Sequence, residues 1–158
     1  MKKKTMAGLI AIVAVAAVLI SAGAVYKEEK LSGLVFAQGN QDDDYMIWAS
    51  NTARSETTDL NLWQKAASSL DFDGMELYAE MLYDDADKAL VEIDQFSVSS
   101  KLQPSKDEFK LAQEDLTLAA YYAEEGAKNV NFDDIETAGR YFESSAYHLR
   151  RAKALLPS

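Results

Sequence analysis

Between Met46 and Leu156 the apolar residues recur at intervals of three and four, and almost never in strict alternation. That spacing places them on one face of an α-helix rather than one face of a strand, so this part of the chain is expected to be all helix. One stripe runs through Met75, Tyr78, Leu82, Ala86, Ala89, Ile93 and Phe96, predicting a helix from about Gly74 to Phe96. A second, through Phe109, Ala112, Leu116, Ala119 and Ala123, predicts one from about Lys106 to Lys128. The third, through Ile135, Ala138, Phe142, Ser145, Leu149, Ala152 and Leu156, predicts one from about Asp134 to Leu156. Each opens on a capping-box pattern, Asp73-x-x-Glu76, Ser105-x-x-Glu108 and Asp133-x-x-Glu136, with Pro104 and Pro157 as boundaries.

An earlier helix is expected on Leu60, Trp63, Ala67 and Leu70. The same register extends backwards through Glu56, Ala53, Ala49 and Met46. The intervening Ser55-Glu56-Thr57-Thr58-Asp59 is poor helix material, so a kink or split is expected there, with Glu56 partly wet at it or, on a functional reading, a buried acid with a raised pKa. Long helices joined by short loops pack best as antiparallel neighbours, and the predicted fold is an all-α, up-down four-helix bundle over residues 42–158.

Ahead of the bundle lies a segment of another kind. From Thr5 to Tyr26 the chain carries no charge, and Lys2, Lys3 and Lys4 precede it. A run of that length suits a membrane-crossing helix, and the lysines predict that the N-terminus stays in the cytoplasm. Residues 1–26 are therefore expected to be a transmembrane anchor or signal segment, 27–41 a linker, and 42–158 an extracytoplasmic domain. Ala22-Gly23-Ala24 offers the alternative of cleavage near Ala24 and secretion. With no cysteine in the chain, neither a lipid-modified cysteine nor a disulfide is available.

Residues 41–158 hold 24 acidic and 11 basic side chains, a net charge of −13 that argues against nucleic acid as a partner. The up-down topology carries the turns at 71–73 and 129–133 to the end far from the membrane. There Asp71, Asp73, Asp133 and Asp134 form a weak acidic candidate for a metal, more simply read as helix-start acids that complement the macrodipole. At the near end Asp42, Asp43 and Asp44 are expected beside Arg150, Arg151 and Lys153.

His148 is the only histidine. No Gly-rich phosphate loop, no H-E-x-x-H and no second histidine for a di-iron site is present, so no enzymatic activity, catalytic residue or cofactor is expected. Met46 early in the first helix and His148, in Ala146-Tyr147-His148 late in the last, resemble the haem ligands of soluble b-type cytochromes built as four-helix bundles. That resemblance implies an electron carrier as one alternative. His148 nevertheless lies about 100° around the helix from Leu149 on the seam, which favours a partly exposed residue near a helix C-terminus. "LAAYYAEEG" at 118–126 resembles the first helix of a tetratricopeptide unit, implying a helical-repeat scaffold as another alternative. The leading expectation is a non-enzymatic, membrane-tethered helical bundle that contacts another protein as an accessory or sensor-like module, with Tyr83, Tyr121 and Tyr147 off the seams.

Overall fold

A computed structural model describes residues 41–156, and within them the chain is all helix. Four helices follow one another: α1 (Asp42–Ser69), α2 (Phe72–Ile93), α3 (Gln103–Lys128) and α4 (Phe132–Ala154). The expected anchor or signal segment and the linker fall outside the described residues. No described helix is long and apolar enough to cross a membrane.

The predicted stripes are the buried faces. Met75, Leu82, Ala86, Ala89 and Ile93 of α2, Phe109, Ala112, Leu116, Ala119 and Ala123 of α3, and Ile135, Ala138, Phe142, Leu149 and Ala152 of α4 form one core. They meet Met46, Ala49, Ala53, Leu60, Trp63 and Ala67 of α1. The expected break in α1 does not occur. The helix runs unbroken over 28 residues, and its weak formers satisfy their hydroxyls on the preceding turn, Thr57 Oγ1 donating to Ala53 O at 2.6 Å and Thr58 Oγ1 to Arg54 O at 3.0 Å.

Helix starts lie earlier than the capping boxes indicate. Asp71 caps α2 by accepting from Gly74 N at 3.0 Å, and Asn131 caps α4 by accepting from Asp133 N. Pro104 stands in the first turn of α3, where its missing N–H costs nothing. Ser105 lies inside that helix and donates to Ala152 O at 2.8 Å.

Consecutive helices run antiparallel. Trp48 near the start of α1 reaches Glu92 near the end of α2, Lys110 of α3 reaches back to Asp94, and Ala112 of α3 accepts from Ser145 of α4. The far end is fixed by Phe72 and Phe132, whose rings meet edge to face at 6.2 Å. At the near end Gln41 N donates to Ser97 O, and Asp42 accepts from Ser99 N at 2.7 Å. The expected pairing of Asp42, Asp43 and Asp44 with Arg150, Arg151 and Lys153 is absent among the described residues: the backbones of α1 and α4 stay apart, with no Cα pair within 8 Å.

A displacement of 60 residues maps the first hairpin (α1 and α2) onto the second (α3 and α4). Leu70 and Val130 both take the left-handed conformation, with φ of 56° and 50°. Each is followed by an Asx cap, a phenylalanine and an aspartate: Asp71-Phe72-Asp73 and Asn131-Phe132-Asp133. Ala49, Ala53, Glu56, Asp59, Leu60, Trp63 and Ala67 of α1 are buried, and so are Phe109, Gln113, Leu116, Ala119, Ala120, Ala123 and Ala127 of α3. The two hairpins thus share one burial pattern with different side chains in it.

Candidate functional site

The sharpest departure from that shared pattern is acidic. Where α3 buries Leu116 and Ala119, α1 buries Glu56 at 4 % exposure and Asp59 at 6 %. Gln113 of α3, fully buried, reaches across and donates through Nε2 to Glu56 Oε2 at 3.2 Å. Burial pushes the Glu56 carboxyl up to about 8; the Gln113 bond opposes that rise, and the charges of Asp85 on α2 and Asp59 on α1 add to it. Burial and then Asp85 raise Asp59 as well. Glu56 is therefore not the half-wet side chain at a kink that its neighbours suggested. The helix is unbroken there, and packing from α3 closes over it.

Asp85 also lines a cleft of about 260 Å³ between α1 and α2, with Trp48, Asn51, Thr52, Ser55, Lys88, Ala89 and Glu92. Glu92 accepts from Trp48 Nε1 at 2.7 Å and lies 3.7 Å from Lys88 Nζ. The acids thus extend from the core to a solvent-facing opening. A carboxyl that titrates this close to neutrality can hold or yield a proton under ordinary conditions, which a surface glutamate cannot.

His148 belongs to a second polar cluster, between α3 and α4. Its Nδ1 lies 2.7 Å from Glu108 Oε2, and its Nε2 3.8 Å from Asp115 Oδ2. Glu108 is shared, its other oxygen lying 3.0 Å from Arg151 Nη2. Arg151 also sits over the Tyr147 ring at 5.7 Å. The nearby buried hydroxyls of Ser105 and Ser145 are given to backbone carbonyls, so neither is presented as a nucleophile. Met46 lies in the core near the start of α1, and no described contact joins it to His148.

At the far end Asp71 is occupied as a cap and Asp134 accepts from Asn131 Nδ2, while Asp73 and Asp133 point into solvent. No group of three or more His, Asp or Glu side chains among the described residues is arranged to hold a metal ion.

Sequence reasoning placed Glu56 on the seam but missed its partners Asp59, Asp85 and Gln113, and the pairing of Glu108 with His148. Asp85 and Gln113 flank their stripes by one position, where a helix contributes to a second interface. The 60-residue displacement would have exposed the anomaly, since it sets Glu56 against Leu116. Compared with protein-family models, curated proteins and solved structures, the chain matches none.

Proposed function

We propose that this protein is a non-enzymatic, membrane-tethered extracytoplasmic module that works by contacting another protein. The observation that carries this reading is an aromatic face across α3 and α4. Tyr122 and Tyr141 stack at 5.7 Å with an interplanar angle of 2°, and Tyr121 meets Tyr122 edge to face at 5.3 Å. Tyr121 is 47 % exposed, and Leu118, one turn before Tyr122, is 42 % exposed. Tyrosines already ordered by stacking lose little side-chain freedom on binding, which makes such a face an effective protein contact. The charge of −13 over residues 41–158 selects a partner with a basic contact surface. Residues 5–26, uncharged and preceded by Lys2, Lys3 and Lys4, supply the tether and the orientation.

The test is a photo-crosslinking side chain at Tyr121 in the full-length chain in its native membrane. One discrete protein adduct, lost when Leu118→Asp is added, is the expected result. Labelling that is diffuse, or unchanged by Leu118→Asp, overturns the reading. Protease added to intact cells should remove the helical domain, and full protection overturns the orientation.

The 60-residue correspondence favours a second reading, a scaffold of two helical-hairpin repeats. Its period is far from that of a tetratricopeptide unit, about 34 residues, so the local likeness at 118–126 does not extend to the repeat.

A further inference from the structure

Glu56 and Gln113 make one hydrogen bond, and each keeps a second polar atom unpaired. Gln113 Nε2 donates to Glu56 Oε2, while Glu56 Oε1 and Gln113 Oε1 are both buried without a partner. Two unpaired acceptors on one contacting pair of buried side chains are costly, and no donor among the described residues serves either. A single proton resolves both.

We propose that Glu56 and Gln113 form a proton-binding latch between α1 and α3, in which a proton on Glu56 Oε1 is donated to Gln113 Oε1. The carboxylic acid and the carboxamide then close a ring of two hydrogen bonds, and every polar atom of the pair is satisfied. The proton comes from solvent and returns to it, with no other group changed. Its loss leaves a carboxylate in the core whose one donor is Gln113. The charged groups that act on Glu56 are Asp59 from its own helix and Asp85 from α2, both acidic; α3 presents the neutral Gln113, and no ionisable group of α4 acts on it. Nothing there can neutralise the charge, so it is relieved by letting water in.

The seam that yields is the one around α1. No Cα of α1 lies within 8 Å of one in α3 or α4, so side chains alone hold those contacts. They include Tyr45 and Trp48 against Phe109 at the near end, the latch at mid-helix, and Trp63 against Phe142. By contrast α3 and α4 approach closely along small residues. Deprotonation therefore loosens α1, the helix through which residues 1–40 join the bundle, and leaves the α3–α4 hairpin in place.

Both tryptophans of the chain, Trp48 and Trp63, lie in α1, so their fluorescence reports on that helix directly. Quenching by acrylamide, which is neutral and indifferent to the protein's charge, is measured on the full-length chain from about pH 6 to pH 9. The expected result is a rise of about twofold or more in the quenching constant across that range, and a flat profile in Glu56→Gln, whose amide supplies the same two hydrogen bonds at every pH. No rise in the unmodified chain, or an equal rise in Glu56→Gln, overturns the proposal. Should Glu56→Gln not fold, infrared titration of the unmodified chain decides. A protonated-carboxyl band that persists at neutral pH and disappears with the same midpoint as the quenching change supports the latch, and its absence at neutral pH overturns it.

Discussion

The two helical hairpins bury the same positions and differ in what they put there. The second is lined with small residues. Ala112, Ala119, Ala120, Ala123, Gly126 and Ala127 of α3 and Ala138, Gly139, Ala146 and Ala152 of α4 are buried among the larger Phe109, Leu116, Ile135, Phe142 and Leu149, and the helices lie close. The first buries Tyr45, Met46, Leu60 and Trp63 on α1 and Met75 and Leu82 on α2. It is held further apart, with a cleft at the seam and acids at its centre. Small side chains allow backbone approach and large ones enforce separation. The second hairpin is therefore the more closely packed half of the molecule, and the first is the half that holds Glu56 and Asp59 in its core.

The turns repeat the contrast in miniature. Both need one glycine where the helices converge, on opposite helices: Gly74 on α2 in the first and Gly126 on α3 in the second. A Cβ on Gly126 would stand 2.7 Å from Ile135 Cγ1 and 2.9 Å from its backbone nitrogen. On Gly74 it would meet the Asp71 carboxylate at 2.5 Å. Backbone cannot give way as a side chain can.

The largest expected effect comes from copying the acid into the wrong hairpin. Leu116→Glu places a carboxyl at the equivalent buried position with no glutamine provided for it. It should cost about 4 kcal/mol or more near neutral pH, read from the urea midpoint. A cost below about 1 kcal/mol would mean that the two hairpins tolerate charge alike and that the site at Glu56 is nothing special.

Next is pH. The folded state holds the Glu56 proton up to about 8, whereas the unfolded chain releases it near 4.5. The native state thus binds more protons in that window, and stability falls as pH rises from about 4.5 to 8 and then levels off. The shift corresponds to at most about 5 kcal/mol, of which structural relaxation will recover part. Glu56→Gln should abolish this component in urea unfolding at several pH values while leaving the carboxylate titrations elsewhere untouched.

Gly126→Ala should follow, at about 2 kcal/mol in the same assay, because α4 must move to admit the methyl group. Gly74→Ala should cost about 1 kcal/mol, mostly as a weakened Asp71 cap. Equal losses would break the distinction between the turns. The smallest effect is a gain. Val130, a β-branched residue at φ 50° and 52 % exposed, is strained where glycine is not. Val130→Gly should therefore raise the thermal midpoint, by the equivalent of about 0.5 to 1 kcal/mol.

Much of the fold was legible in the order of residues. Three- and four-residue spacing identified all four helices and most of the core, because burial on one side of a helix leaves a periodic imprint on the chain itself. The expected capping boxes started at Asp73, Ser105 and Asp133, whereas Asp71 and Asn131 cap α2 and α4 two residues earlier and α3 starts three residues earlier. His148 was correctly placed off the seam, but its carboxylate partners were invisible, since Glu108 lies 40 positions away and on another helix.

The sequence by itself determined the helical class, the buried faces, the acidic surface and the uncharged N-terminal run, all of which follow from composition and local periodicity. Only the tertiary structure decided what Glu56 is. The same glutamate at the same register would be a wet surface acid if α3 did not close over it. Gln113 and Asp85, which set its environment, come from helices 57 and 29 residues away along the chain. Desolvation and pairing depend on distance in space, and no local pattern records that distance.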